Sequence, residues 1–467
     1  MTTESRSVVD QQGVRYTLGK ELGRGGQGVV FAVSRRKLAV KLIWGSDQSS
    51  ARRERLRNQL TLVKRLDLRD LPIAAPLEML RPPDLGYVME LVTGMLPLSS
   101  LCHPPAKLAG ERLLEWYQQG GGLRRRLRLL GRIASALAAL HGHGLVYGDP
   151  SPHNLFVSAS VDAEEIRLLD ADNLRYTSVP DEGVFYTPGY GAPELVSGRS
   201  GVNTLTDAHA LAVMVFQTLA LVHPLCGDLV ADGEPELEEQ ALAGRLPWIE
   251  HETEVQNRSR SGLPREVVLS DRLMDLCQQC FAKGLQGVSK RPGVSRWVER
   301  LHQASDACLT CPACGWSYYV KLATCPRCDA SRPPLLLARI HLWDPQAGNG
   351  GDLLQGPDGR PRTIGFAVAT ARDPLLLGER LLDGRHGLQE THRIAVETTG
   401  SGASVRALDG CSYELRTVQG GLRRVESEPV RLTLSPAHAE WRLHVDARDK
   451  QHRVVRFELW PEASDAG

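Results

Sequence analysis

The sequence predicts an α+β chain in three consecutive parts. Three observations set that expectation. Residues 14–303 open with short apolar runs around one helical stretch and continue as long segments of helical periodicity. Residues 306–331 carry two Cys-x2-Cys pairs. From Leu335 onward, short alternating runs separated by turn signals predict an all-β domain, a sandwich or barrel.

Taken in order, Leu38 to Ile43 is a short apolar run suited to a buried strand, and Tyr87 to Val92 is another. Between them, Ser49 to Leu66 is rich in Arg, Leu and Gln and reads as a helix. Residues 95–303 read as mainly helical. Leu127, Leu130, Ile133, Leu137 and Leu140 recur every three or four residues, which marks an amphipathic helix. Asp207 to Leu221 is apolar all round and reads as a buried core helix. Leu273 to Phe281 and Val294 to His302 close the region. Between 335 and 462 the expected strands are Arg393 to Thr398, Ser404 to Leu408, Tyr413 to Val418, Val430 to Leu434, Trp441 to Val445 and Val454 to Trp460.

A chain of 467 residues has room for two to four domains. Its hydrophobic share of 42% and charged share of 24% are those of globular protein, and a net charge of +1 points to neither nucleic acid nor membrane. Arginine clusters at 52–55 and 124–126 fall on helical patterns and read as solvated faces. Met1 to Asp10 is polar and lacks the apolar core of a signal peptide, and no apolar run reaches the ~20 residues of a membrane span. A cytoplasmic location is therefore expected.

An ordered series of short motifs points to chemistry. Gly23, Gly25 and Gly28 stand at GxGxxG spacing, with Gly26 between them and Val30 just beyond. Such glycines let a hairpin approach a polyphosphate with backbone N–H groups facing it. Dinucleotide-binding turns share the spacing but lead into a helix, whereas Val29 to Val33 continues as a strand. Lys41 ends a Leu-Ala-Val-Lys strand. Asp149 and Asn154 lie five residues apart after a helix, and Asp170 follows the mostly apolar strand Ile166 to Leu169. Two acids and an amide converging are what a metal–phosphate site needs.

Together with Met89-Glu90-Leu91-Val92 and Ala192-Pro193-Glu194, these motifs resemble the protein-kinase family over about residues 14–303. The resemblance implies a bilobal kinase-like fold, an N-lobe to about residue 92 and a C-lobe to 303, followed by a small zinc ribbon and a sandwich-like β domain. It implies transfer of the γ-phosphoryl group of ATP, with Mg²⁺, to Ser/Thr hydroxyls of itself or of partner proteins. Lys41 would pair the α- and β-phosphates and Val30 would pack on adenine. Backbone groups at Glu90 and Val92 would bind its edge, with Met89 as gatekeeper. Asp149 would orient the attacking hydroxyl and accept its proton, while Asn154 and Asp170 would bind Mg²⁺. Glu54, the single acidic residue between Ser49 and Leu66, is the candidate helix partner of Lys41. Glu194 would pair with Arg291, and Asp207 would hold the catalytic loop.

Several positions depart from the common pattern. Tyr147-Gly148 replaces the usual His-Arg, so a phosphorylated activation loop has no cation to dock beside Asp149. Ser151 replaces a lysine, and Asp170-Ala171-Asp172 replaces Asp-Phe-Gly. The form Leu-Asp-Ala-Asp-Asn resembles a bacterial group of Ser/Thr kinases with C-terminal zinc ribbons. Some of these are encoded in tellurium-resistance-like operons with von Willebrand-type and PP2C-phosphatase proteins, which are the partners the resemblance suggests. Two other classes of function stay open. One is a pseudokinase that holds ATP as a scaffold; the other is a small-molecule kinase.

Cys311, Cys314, Cys325 and Cys328 have the spacing of a closed, structural Zn²⁺ site. Cys308 reads as a spare thiol, and Cys277 and Cys280 as core residues. Trp316, Tyr318 and Tyr319 are expected to cover the small ribbon core, and the ribbon to serve a structural or protein-docking role. In the β domain, Leu377-Gly378-Glu379-Arg380 is similar to the start of forkhead-associated domains, but the downstream Ser-Arg and His pattern is missing. A generic protein-interaction sandwich is the expectation there.

Overall fold

The computed structural model describes residues 6–26, 28–44, 50–176, 186–348, 350–434 and 440–460, with backbone alone at Ala51 and Arg52. Gln27 of the glycine-rich run, Ser49 at the expected helix start, residues 1–5 of the polar N-terminus, Arg52's side chain in the arginine cluster and residues 461–462 of the β domain lie outside this description. The chain divides into two compact units. One comprises Met1–Ala106, Ala136–Gly262 and Cys277–Val294; the other comprises Lys107–Ser135, Leu263–Leu276 and Ser295–Gly467.

The first unit opens with a six-stranded antiparallel sheet in the order β1-β2-β3-β4-β6-β5. Its strands are β1 (Ser7–Val9), β2 (Arg15–Gly25), β3 (Gly28–Val33), β4 (Leu38–Ile43), β5 (Glu78–Met79) and β6 (Gly86–Glu90). Side chains alternate across a strand, so β4 feeds two cores. Val40 and Leu42 join Val8, Leu18, Val29 and Val88 on one face. Ala39 and Ile43 join Leu60, Met79, Tyr87 and Met89 on the other. Leu60 comes from α1 (Ser50–Arg65), which covers that second face. Lys41 has the same parity as Ala39 and Ile43, so it points to the covered face and is only 3% exposed. In register it stands between Val30 of β3 and Tyr87 of β6. Gly86 is required beside it, because a Cβ there would meet the Lys41 carbonyl oxygen at 2.0 Å.

Beyond β7 (Met95–Pro97) the unit becomes helical. The helix α2 (Gly122–Gly142) runs from the second unit into the first. Small antiparallel pairings follow: β7 and β10 (Ile166–Leu168) flank β9 (Leu155–Ser158), and β11 (Arg175–Tyr176) pairs with β8 (Leu145–Val146). The helix α3 (Thr204–Ala220) is started by a capping box. The Asn203 side chain accepts from the Leu205 and Thr206 amides, and Thr206 Oγ1 accepts from the Asn203 amide. Nearly all of α3 is buried, as its apolar circumference requires. Arg291, fully buried, forms a two-point bridge to Glu194 at 2.7 and 3.1 Å and donates to the Leu205 carbonyl at 2.8 Å. That contact ties Ala192-Pro193-Glu194 to the start of α3.

The second unit contains α4 (Val294–Asp306) from Ser295 onward, the hairpin of β12 (Cys308–Thr310) and β13 (Ser317–Tyr319), and two larger sheets. The seven-stranded sheet is built on β14 (Leu335–Asp344), which lies between β16 (Thr363–Ala369) and β24 (His452–Trp460), and is completed by β15 (Asp352–Leu353), β20 (Tyr413–Thr417), β21 (Leu422–Val425) and β23 (Trp441–His444). The four-stranded sheet runs β17 (Leu375–Gly378), β18 (His392–Thr399), β19 (Gly402–Ala407), β22 (Val430–Thr433). Leu336, Ala338 and Ile340 from the first sheet share one apolar core with Leu377, Ile394, Val396 and Val405 from the second. Two antiparallel sheets thus share one apolar core, each giving it alternate residues of its strands.

The six alternating runs of the sequence are all strands, within a residue or two at each end. Sequence reading missed β14, whose near-continuous Leu-Leu-Leu-Ala run has strands hydrogen-bonded on both sides, and also β16, β17 and the short strands Asp352–Leu353 and Leu422–Val425. Arg380, in the segment similar to forkhead-associated domains, is engaged by Asp306 at 2.6 and 2.8 Å and by Glu390 at 3.4 Å. Its guanidinium is thus committed within the protein. Among described residues no helix is long and apolar enough to cross a membrane.

Removing one partner of the buried Arg291–Glu194 bridge strands a charge. Arg291→Ala should therefore cost about 3–5 kcal/mol of stability. Urea denaturation checks this; a loss under about 1 kcal/mol would mean that the bridge is not the tie described.

Candidate functional site

Lys41 Nζ lies 2.9 Å from Asp170 Oδ1, and 2.9 and 3.1 Å from the two carboxylate oxygens of Asp172. Tyr87, its neighbour on β6, donates its hydroxyl to Asp172 Oδ1 at 3.0 Å. Burial alone would push the lysine's pKa down; the two aspartates more than offset it, so the amine is held charged. Burial pushes Asp170 up, against the pull of Lys41. Asp170 also holds a left-handed backbone, φ 51° and ψ 51°, unusual for a residue with a Cβ. Strain of this kind concentrates at functional sites.

The loop before Asp149 is fixed from its backbone. Asp207, fully buried at the start of α3, accepts from the Tyr147 amide at 2.8 Å and the Gly148 amide at 3.0 Å. His141 Nε2 meets the same carboxylate at 2.9 Å. Tyr147 points inward and donates its hydroxyl to the Leu169 carbonyl, the residue before Asp170. One buried tyrosine thus links the Asp149 loop to the Asp170 strand. Gly148 explains the missing arginine: its φ is +90°, and a Cβ would meet the Asn173 carbonyl oxygen at 2.8 Å. No side chain fits there. Ser151 is fully buried and, among described residues, its hydroxyl has no partner.

Asp149 is half-buried. It accepts from the Thr187 amide at 2.8 Å and the Thr187 hydroxyl at 3.0 Å, while Asn154 Nδ2 reaches its carboxylate at 3.3 Å and its carbonyl at 3.1 Å. Burial raises its pKa above the usual aspartate range, opposed by those hydrogen bonds. Asp170 feels its charge. Asp149, Asn154, Asp170 and Lys41 are therefore gathered in one neighbourhood, and two carboxylates with an Asn amide are an oxygen-rich set suited to a hard divalent cation.

Beside Lys41 in the sheet lies the β2–β3 hairpin. Gly28 is sterically required, because its Cβ would meet the Leu42 carbonyl oxygen at 2.2 Å. Gly23, Gly25 and Gly26 are exposed, and a Cβ there would touch nothing described. Trp44 steadies the hairpin: its indole N–H donates to the Gly25 carbonyl at 3.0 Å, and Arg24 lies over its ring at 5.2 Å. Val30, Leu91, Val92 and Leu169 are half-buried against the core that holds Met89. They leave an apolar border beside the lysine, while Glu90 is exposed at the end of β6.

Glu54 is not brought to Lys41. It is exposed on α1, and among described residues no ion pair joins the two. The reason is local: the lysine is already saturated by Asp170 and Asp172. What α1 offers the loop is Gln59, whose Nε2 donates to the Asp172 carbonyl at 2.7 Å and the Leu174 carbonyl at 3.1 Å. Sequence reading noticed Asp172 only as a departure from a pattern. The available signal was that a carboxylate in an apolar stretch needs a cation. Thr187 and Gln59 carried no such signal.

In the second unit, Cys311, Cys314, Cys325 and Cys328 bring their sulfurs within 4.8 Å of one another. The spacings of 3.7 Å for Cys311–Cys328 and 3.6 Å for Cys314–Cys325 fit the edges of a tetrahedron with metal–sulfur bonds of about 2.3 Å. These thiols could hold a metal such as zinc. Cys308 lies outside the set, with its Sγ on the Ala304 carbonyl at 3.3 Å. Trp316, Tyr318 and Tyr319 are buried. Trp316 stacks on Tyr117 at 5.6 Å, and Gln118 Nε2 donates to the Cys314 carbonyl at 2.8 Å. The Arg372 guanidinium donates to the Pro312 carbonyl at 2.8 Å. The knuckle is thus joined to the Gly110–Gln119 helix and to the β domain.

Comparison with known proteins agrees with this geometry. Residues 16–301 match the protein kinase domain. Serine/threonine-protein kinase pkn2 of Myxococcus xanthus is 31% identical over 190 residues, 39% of this chain and 20% of that protein. Myosin light chain kinase A of Dictyostelium discoideum is 26% identical over 243 residues, 50% of this chain and 75% of that protein. Protein kinase YegI of Escherichia coli K12 is 26% identical over 343 residues, 69% of this chain and 50% of that protein. The chain therefore spans a fifth to three quarters of these relatives' lengths.

Metal analysis of the purified chain should give one zinc per chain, and Cys325→Ser should lose it and melt several degrees lower. Metal-free wild-type protein of unchanged melting temperature would contradict the assignment.

Proposed function

The chain belongs to the protein-kinase family, and on that premise we propose that it transfers the γ-phosphoryl group of ATP to Ser/Thr hydroxyls of itself or of partner proteins. The observation that carries the reading is the gathering of Lys41, Asp149, Asn154 and Asp170, with a glycine-rich hairpin beside Lys41 in the sheet. Phosphoryl transfer is largely positioning and charge neutralisation, and this set supplies both. Backbone N–H groups of Gly23, Gly25, Gly26 and Gly28 would cover the phosphates. Val30 would lie on the adenine, whose edge would take backbone groups at Glu90 and Val92. Lys41 would hold the α- and β-phosphates. Mg²⁺, when bound by Asn154 and Asp170, would supply neutralisation of phosphate charge.

Asp149 would orient the substrate hydroxyl and take its proton. Its hydrogen bond from the Thr187 hydroxyl supports this, since it is a contact of the kind an incoming hydroxyl would make. With Gly148 leaving no room for an arginine, the site requires no activation-loop phosphate to align it. The zinc ribbon would be structural and, with the β domain, would offer docking surfaces to partners. Von Willebrand-type and PP2C-phosphatase proteins are the first to try, in a cytoplasmic setting.

The test is label transfer from γ-labelled ATP with Mg²⁺, to the chain itself and to generic protein substrates. Asp149→Ala should lower kcat by at least about 100-fold with KM for ATP little changed. Because the folded carboxylate is pushed above the ordinary aspartate range, it stays protonated to a higher pH, so the acid limb of kcat/KM should lie above ~3.9. ATP binding with no transfer above the Asp149→Ala background would replace this reading with an ATP-holding scaffold or a kinase of small molecules.

A further inference from the structure

We propose that Asp172, rather than any carboxylate of α1, is the standing counter-ion that positions Lys41 for nucleotide; the proposal rests on the reading that Lys41 meets ATP phosphates. A buried ammonium must have a partner charge, and this one has two candidates. They are not equivalent. The Asp170 side chain is 29% exposed and the Asp172 side chain 4%. Asp170 is the more exposed of the two and feels the charge of Asp149, so a divalent cation would engage it first. Once it is so engaged, Asp172 alone remains to hold the amine.

Asp172 is built to stay in place. The Tyr87 hydroxyl holds Oδ1 at 3.0 Å, and Tyr87 stands directly across from Lys41 in the sheet register. The residue lies in a short 3-10 turn, Ala171–Asn173, all of it buried. Gln59 of α1 clasps the turn through the Asp172 and Leu174 carbonyls. Helix α1 therefore braces this segment with an uncharged amide, and Glu54 faces solvent. The lysine and its counter-ion are joined by the sheet and the segment carrying the metal-binding aspartate. Swinging α1 would not by itself break an ion pair of Lys41. Asp172 is thus a positioning residue, and the ion pair is assembled whenever the segment is folded.

The experiment is calorimetric titration of the full-length chain with MgATP, alongside thermal melting. Four variants are compared with wild type: Lys41→Met, Asp172→Asn, Tyr87→Phe and Glu54→Gln. The expected result is a Kd weakened at least tenfold in Asp172→Asn, approaching Lys41→Met, and a few-fold in Tyr87→Phe. Glu54→Gln should bind as wild type does. A merely structural role for Asp172 would lower the melting temperature or the number of competent sites while leaving the Kd of the remaining sites unchanged, and that outcome overturns the proposal. So does a Glu54→Gln variant that weakens as Asp172→Asn does. Should Asp172→Asn fail to fold, Tyr87→Phe decides: a Kd equal to wild type in that variant sinks the idea. A wild-type chain that binds no MgATP removes the kinase reading itself, and this proposal with it.

Discussion

The site depends on one buried ammonium group between two carboxylates. Lys41 cannot be left unpaired in the covered face of the sheet, so wherever its charge is met the surrounding elements must stay in register with it. Strand β4 delivers it, β6 supplies the tyrosine that fixes its partner, and the Asp170–Asn173 turn supplies both acids. Asp170's left-handed backbone is consistent with a turn that is held in place by these contacts rather than by its own preference.

A second anchor, Asp207, organises the opposite side. It gathers the Tyr147 and Gly148 amides and His141, which sets the approach of Asp149. Tyr147 then connects this loop to the carbonyl before Asp170. Hydrogen bonds in such a low-dielectric setting are costly to leave half-made, which favours one arrangement of the whole cluster. Common kinases place a cationic side chain before the aspartate of this loop. Here Gly148 stands at that position, with the Asn173 carbonyl oxygen 2.8 Å from where a Cβ would lie.

Much of this was legible in the chain. Glycines, a strand lysine, and an Asp and Asn five residues apart are local signals that the chain itself displays, and the structure gathers Lys41, Asp149 and Asn154 with Asp170. Four cysteines at knuckle spacing are similarly self-contained. The pairing of Lys41 was not legible, because Asp170 and Asp172 reach it across more than a hundred residues; the family pattern pointed to Glu54, while Tyr87, opposite Lys41 in the register of β4 with β6, holds Asp172. Strand β14 was missed for a different reason. Flanked by strands on both sides and apolar along much of its length, it shows no clean alternation. Arg380, in the segment similar to forkhead-associated domains, is committed to Asp306 by a tertiary contact that sequence does not show.

The most direct measurement is a crystal structure of the full chain with Mg²⁺ and a non-hydrolysable ATP analogue. The account predicts that Lys41 Nζ keeps Asp172 within hydrogen-bond distance while reaching the phosphates, that Asp170 turns to the cation, and that Glu54 stays in solvent. Lys41 paired instead with Glu54, with Asp172 displaced, would contradict it.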